Sequence, residues 1–271
     1  MGKNSDRSRR YHDRVARQYD AIYQDPYWAF HDELTWRLIK PHLPKDQSAA
    51  CADLGCGTGK WGLKLLKSGF STTFLDSSGA MIEQVRGKLA EMPAPRQLRA
   101  TLVIGDIVEM PQLPDDHFQL VLAMGDPLSI CSNPTFAVRE FARICRTGAG
   151  VIATADNKLA AIDHFAAERG NLDLLEQFIT SGRTNWLTAD EREQFELTTF
   201  TPASLRKLFE RHGFEVIDVV GKTILPVRQN KKLLEYPNSV ERLLRIEAEL
   251  VKDPASAGRA GHLQITARRV R

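Results

Sequence analysis

The sequence predicts an α/β protein, a mostly parallel seven-stranded sheet with helices on both faces and extra helical segments around it. Two observations carry this. Short apolar runs alternate with helical patterns along most of the chain, the signature of strands joined by crossover helices. A glycine-rich turn, Asp53-Leu54-Gly55-Cys56-Gly57-Thr58-Gly59, joins the first apolar run to the helical pattern Trp61, Leu63, Leu65, Leu66.

The elements follow in order. Helices are expected near Ser8 to Tyr23 and Pro26 to Lys40, then strands near Ala49 to Leu54, Ser71 to Asp76, Ala100 to Ile104, Phe118 to Ala123 and Gly150 to Ala155. Helices near Lys60 to Lys67, Gly79 to Ala90 and Thr135 to Arg146 connect them. Thr201-Pro202-Ala203-Ser204 reads as a cap with proline at the first helical position, opening a helix through about His212. Phe214 to Gly221 and His262 to Arg268 supply the last two strands. Two stretches exceed a minimal sheet, Asn157 to Phe200 and Pro226 to Gly261. Both carry helical spacing of leucines, and loops of that length without structure are uncommon, so they are expected to be ordered lids. The division expected is an N-terminal helical cap, 1–45, and a main domain, 46–271, with lids at about 157–200 and 226–261.

The glycine turn admits two registers. Gly57-Thr58-Gly59-Lys60-Trp61-Gly62 also spells G-x-G-x-x-G, with Asp76 about 20 residues on, as a dinucleotide site requires. In that fingerprint the first glycine leaves the strand directly, whereas here Asp53 and Gly55 come first. An acid at a strand end repels a pyrophosphate and suits an amino group. A ligand with an α-amino group, a carboxylate and a ribose fits better than NAD. A phosphate-binding P-loop fails because Gly59-Lys60 is followed by Trp61 and not by a hydroxyl.

These residues resemble the class I S-adenosylmethionine-dependent methyltransferases, whose first motif is an acid followed by G-x-G-x-G. The resemblance spans roughly Ala49 to Ala155. It implies a Rossmann-like methyltransferase sheet with an antiparallel seventh strand, and S-adenosylmethionine as cofactor. Asp53, Gly55, Gly57 and Gly59 match the first motif. Asp76, ending Thr72-Thr73-Phe74-Leu75-Asp76, matches the acid that holds the ribose hydroxyls, with Ser77 and Met81 near the adenine. Gly105-Asp106-Ile107 matches the segment that reads the adenine amine, and Met124 closes the fourth strand on the cofactor side. Tyr19, in Tyr19-Asp20-Ala21-Ile22-Tyr23, resembles an aromatic residue that closes over the cofactor in small-molecule members.

The implied topology sends three elements over one pocket: the N-terminal helices and the two lids. That suits a small-molecule substrate and hinders a polymer. Asp126, in Gly125-Asp126-Pro127, and His262, at the start of the seventh strand, are the candidate catalytic residues. The acid would orient or deprotonate a hydroxyl or amine, and histidine can act as a base near neutral pH. A turn aspartate before proline and a strand-start histidine packed on a lid are the plainer readings. Asn157, Arg183 and Trp186 are candidate substrate contacts, Asn157 being equally good as a helix cap. Asp126-Pro127-Leu128-Ser129 departs at two positions from the Asn/Asp-Pro-Pro-aromatic tetrad of base and amide methyltransferases, which weakens that subclass.

Composition bounds the rest. With 42% hydrophobic and 26% charged residues in 271, the chain reads as an ordinary globular protein. No run approaches the ~18 apolar residues of a membrane span. The charged N-terminus lacks a secretory apolar core, and a cytoplasmic location is expected. Cys51, Cys56, Cys131 and Cys145 form no C-x-x-C and no zinc spacing, so no metal is expected. A net charge of +3, with the N-terminal arginines interleaved with Asp6, Asp13 and Asp20, argues against nucleic acid. Oligomeric state is left open. The expectation is methyl transfer to an oxygen or nitrogen of a small metabolite. The alternatives are an NAD(P)-dependent oxidoreductase using the late glycine register, and a non-catalytic fold binding RNA or a protein partner.

Overall fold

A computed structural model describes residues 3–166, 171–185 and 194–270. Its centre is a seven-stranded sheet. The strands are β1 (Ala50–Leu54), β2 (Ser71–Asp76), β3 (Ala100–Ile104), β4 (Phe118–Ala123), β5 (Cys145–Asp156), β8 (Phe214–Lys222) and β9 (His262–Arg269). Between β5 and β8 a short hairpin, β6 (Arg183–Thr184) with β7 (Leu197–Thr198), forms a separate sheet. The order across the main sheet is β3-β2-β1-β4-β5-β9-β8. The first five strands pair in parallel, and β9 runs antiparallel to both β5 and β8, as expected.

The helices are α1 (Lys3–Val15), α2 (Tyr19–Ile22), α3 (Pro26–Ile39), α4 (Lys60–Lys67), α5 (Gly79–Ala90), α6 (Ala94–Gln97), α7 (Pro127–Ile130), α8 (Pro134–Ile144), α9 (Lys158–His164), α10 (Leu172–Ser181), α11 (Pro202–Glu210) and α12 (Ser239–Leu250). Local chemistry sets their starts. Asp25, Ser78 and Asn133 each accept a hydrogen bond from an amide of the first turn that follows, and Thr201 with Ser204 forms a capping box. Asn133 thus caps α8, which starts one residue ahead of the expected Thr135. The single helix expected from Ser8 to Tyr23 is instead broken by a tight turn at Ala16–Gln18, which lets α2 bend over the glycine turn. The expected helix end at Arg146 gives way to β5, which begins at Cys145.

Alternation along the central strands divides the core into two layers. Val121 and Ala123 of β4, Val151, Ala153 and Ala155 of β5, and Leu263, Ile265 and Ala267 of β9 pack with α8 and α11. Leu120, Leu122 and Ile152 face the other way, against Ile39 of α3 and Trp61 and Leu65 of α4. Thr154 and Asp156 therefore share the α3 face with Ile152, and His262 and Gln264 lie on that face of β9. The strand order reverses between β1 and β4, the point at which ligands enter such sheets. No helix among the described residues is long and apolar enough to cross a membrane.

Candidate functional site

The turn after β1 is shaped by three glycines in left-handed conformation, Gly55, Gly57 and Gly59, with φ of 64°, 53° and 83°. Other residues rarely adopt these angles. Close packing adds to the constraint at Gly55, where an added Cβ would lie 2.7 Å from Pro127 Cβ. The turn after β1 thus touches the segment after β4 at Pro127, next to Asp126.

Asp53 is fully buried and accepts a 2.7 Å hydrogen bond from the Gly62 amide through Oδ2. Its Oδ1 is buried with no partner. Burial, outweighing the Gly62 amide, pushes the carboxyl up to about 7. An ammonium placed at the turn would satisfy that oxygen and reverse the shift. Asp76 accepts from the amides of Gly57 and Ser78, both at 2.8 Å, leaving lone pairs for further donors. Burial raises its pKa as well. Asp106 is partly buried and accepts from the Val108 amide.

The N-terminal segment closes on this cradle. Tyr19 Cε1 is 3.9 Å from where a Gly57 Cβ would stand, and its ring packs on Tyr23 at 4.9 Å. Thr58 Oγ1 donates to Asp20 at 2.6 Å, and Lys88 pairs with Asp20 at 2.6 Å. Ser78 Oγ donates to Asp13 at 2.5 Å, and Met81 is buried beneath Val15 and Ala16. Ser77 is partly buried.

The second group of polar residues lies beyond the ends of β4, β5 and β8 and the start of β9. Asp126 has φ 64°, strained for a non-glycine residue, and is held there because the amides of Gly125 and Asp126 both donate to Thr154 Oγ1 at 3.0 Å. Its Oδ2 meets His262 Nδ1 at 2.7 Å, and Asp156 Oδ1 lies 3.9 Å from the same nitrogen. The sheet register explains the convergence: Asp156 is directly opposite His262 across β5 and β9, and Lys222 is opposite His262 across β8 and β9. Opposed residues of antiparallel strands project to the same face. Acid, imidazole and ammonium form one row.

From above, α3 adds His31, Asp32 and Thr35. Lys222 Nζ is 3.3 Å from both His31 Nε2 and Thr35 Oγ1. His31 Nδ1 is 3.3 Å from Asp32, whose other oxygen pairs with Lys60 at 2.6 Å. The rings of His31 and His262 are 6.0 Å apart.

The electrostatics follow from this crowding. Burial opposes charge on Asp126, but His262 more than offsets it and holds the carboxyl below its ordinary range. Burial likewise opposes charge on His262, and Asp126 with Asp156 raises it above the usual histidine value. Burial and the Asp126 charge push Asp156 up to about 7. Burial lowers Lys222 to about 8, with Asp126 and Asp32 opposing, and lowers His31 to about 3. The pairing thus favours the charged forms of Asp126 and His262, beside a neutral His31 and a largely protonated Lys222.

Several expectations need correction. Asn157 is not free to bind a substrate: its Nδ2 reaches the carbonyls of Ala257, Gly258 and Ala260, and its Oδ1 caps α9. Arg183 is exposed on the hairpin, where it pairs with Glu196 at 2.8 Å. Trp186 lies outside the described residues. Ile107 and Met124, expected at the cofactor, are buried in apolar clusters on opposite faces of the sheet. Lys222, Asp156 and His31 were missed. The strands were expected to stop at Ala155 and Gly221, one residue short of Asp156 and Lys222; a charged residue at the carboxyl end of such a strand was the available signal.

A family profile described as a methyltransferase domain matches residues 51–148. No curated protein matches the sequence. Among solved structures, an S-adenosylmethionine dependent methyltransferase from Mesorhizobium loti is 17% identical with a TM-score of 0.58, covering 87% of this chain and 98% of that one. The [4+2]-cyclase SpnF is 21% identical with a TM-score of 0.56, covering 88% and 80%. Geranyl diphosphate C-methyltransferase from Streptomyces coelicolor, solved with Mg2+, a substrate analogue and S-adenosyl-L-homocysteine, is 12% identical with a TM-score of 0.57, covering 88% and 76%. Likeness at these identities carries the fold, while the profile falls on the glycine turn, Asp76 and Asp106. Residues 51–148 thus match a methyltransferase domain, and the sheet around them has the fold of S-adenosylmethionine-dependent methyltransferases.

Proposed function

We propose that the chain transfers a methyl group to an oxygen or nitrogen of a small molecule, with 1–45 as a cap over the 46–271 domain and its lids. The observation that carries this reading is the Asp126–His262 contact beside a turn that Gly55 and Pro127 bring into touch. Similar folds host different chemistry, a cyclase among them, so the reading rests on the site and not on the fold.

The cradle fits the cofactor: Asp53 offers a buried oxygen without a donor, Asp76 has spare lone pairs, and the glycines let the backbone approach closely. S-adenosylmethionine, when bound, supplies an electrophilic methyl group. Asp53 would take the amino group, Asp76 the ribose hydroxyls and Asp106 the adenine amine, with Tyr19 as cover. At the acceptor end Asp126 fixes the His262 ring through Nδ1, leaving the rest of the imidazole to meet the substrate. Helices α1 to α3 exclude water, and alignment in a dry site is the main source of acceleration such a transfer needs. The enclosure supports a small substrate over a polymer.

The test is calorimetric titration with S-adenosylmethionine, S-adenosylhomocysteine and NADH. Micromolar binding of the first two, with none of the third, is expected. Binding of NADH alone would restore the late glycine register and overturn the reading.

A further inference from the structure

Lys222 is the most conspicuous group that the cofactor cradle does not use. It is 2% exposed at the end of β8, and among the described residues no carboxylate lies within ion-pair distance of its ammonium. Its two contacts, His31 Nε2 and Thr35 Oγ1, are neutral and long at 3.3 Å. The two carboxylates whose charge it feels, Asp126 and Asp32, already pair elsewhere, with His262 and with Lys60. A buried ammonium without a direct counter-charge is costly and is ordinarily paired. The geometry gives that counter-charge a place, because His262 is its neighbour on the next strand and opposed residues on antiparallel strands have Cα atoms only about 4.5–5.5 Å apart.

Both Asp126 Oδ1 and His262 Nδ1 are buried, whereas 20% of the His262 side chain is accessible, so the ring edge away from Nδ1 faces the opening. Nδ1 against a carboxylate favours the protonated ring, whose free edge then presents Nε2–H. An incoming group meets the His262 edge, with the Asp126 and Asp156 side chains 16% and 15% accessible beside it and Lys222 buried on the next strand. An oxyanion that reached Lys222 would supply the counter-charge its ammonium lacks.

Resting on the methyl-transfer reading, we propose that the acceptor is an acidic hydroxyl of a small molecule, bound as its anion between Lys222 Nζ and His262 Nε2. The hydroxyl proton stays in bulk water on binding. In the transfer step an oxygen lone pair forms the C–O bond while the S–C bond breaks towards sulfur. The negative charge on oxygen and the positive charge on sulfur cancel, and Lys222 and His262 keep their protons. His262 then serves as a positive anchor, and no general base is required.

The experiment uses the full chain, wild type and the variants Lys222→Met and Lys222→Arg. Replacing a buried ammonium by methionine is compatible with folding, which a thermal melt checks, and arginine keeps the charge. Two readouts are taken: calorimetric binding of S-adenosylhomocysteine, and methyl transfer from radiolabelled S-adenosylmethionine to ring-matched phenols, benzoic acids, benzylamines and anilines. Expected are transfer to phenols or benzoic acids only, a loss of about 100-fold in kcat/KM in Lys222→Met, partial rescue in Lys222→Arg, and S-adenosylhomocysteine affinity equal in all three. Preferred methylation of amines overturns the proposal, as does wild-type turnover in a folded Lys222→Met. Weakened S-adenosylhomocysteine binding in Lys222→Met would assign the lysine to the cofactor and also overturn it. Intact S-adenosylhomocysteine binding with transfer to none of the four classes overturns the acceptor assignment alone. Absence of S-adenosylhomocysteine binding in the wild type sinks the underlying function instead.

Discussion

The proposed cofactor cradle and the proposed acceptor cluster sit side by side at one edge of the sheet, but they are built differently. The cradle comes almost entirely from one stretch, Asp53 to Met81, with Asp106 and Tyr19 added. Its polar groups are held by backbone amides: Gly62 on Asp53, and Gly57 and Ser78 on Asp76. The acceptor cluster draws Asp126, Asp156, Lys222, His262 and His31 from five separate segments, joined mainly side chain to side chain. A locally built site depends on backbone geometry that few residues permit. A site assembled by strand register depends on charge balance among groups that only the folded chain brings together.

If this contrast is right, the two regions fail differently when cut. The largest effect is expected at the acceptor cluster: Asp126→Asn or His262→Gln should lower turnover by about 100-fold or more, with S-adenosylhomocysteine affinity retained. Equal loss of turnover and affinity would merge the two regions into one. Next comes Asp76→Ala, which removes a charged acceptor and should weaken S-adenosylhomocysteine by about 10- to 100-fold, read by calorimetry. Unchanged affinity would remove the ribose assignment.

Gly62→Ala probes the scaffold beneath the cradle. An added Cβ would lie 2.3 Å from Phe74 Cε1 and 2.9 Å from Asp53 Oδ2, forcing α4 off β2. A loss of about 1–3 kcal/mol in a denaturant melt is expected, and a neutral result would show that Phe74 yields freely.

The smallest effect concerns pH. His262 holds its proton more tightly folded than unfolded, so its contribution to stability is complete below its ordinary ~6.5 and is lost as pH rises through the raised value. Asp126 contributes above its ordinary ~3.9, and that contribution is lost as pH falls through the depressed value. Asp156 opposes the pair at neutral pH: with its folded pKa at about 7, its contribution is fully present below ~3.9 and disappears as pH rises to about 7. Asp156→Asn should therefore gain a few degrees in Tm relative to wild type on going from about pH 5 to about pH 8. A difference that stays flat would show that Asp156 ionises normally in the fold.

The same contrast governs how much was legible in the sequence. The antiparallel direction of β9 followed from the methyltransferase resemblance, and the glycine turn could be read directly because positive φ demands glycine at Gly55, Gly57 and Gly59. The Asp126–His262 pair was reachable through topology, since both lie where strands end or begin at the ligand edge. Lys222 and Asp156 were not, because whether a charged residue one position past an apolar run points to solvent or into a cluster depends on register with a strand elsewhere in the chain. Asn157 shows the converse: its position fitted a substrate contact, and only folding revealed that its amide spends every donor on the Ala257–Ala260 backbone.

The most direct test of the separation is S-adenosylhomocysteine calorimetry on wild type, Asp76→Ala and Asp126→Asn, each paired with its melting curve. The account predicts that affinity collapses in Asp76→Ala and matches wild type in Asp126→Asn, with all three proteins folded. Equal affinity in all three, or a collapse in Asp126→Asn alone, would contradict it.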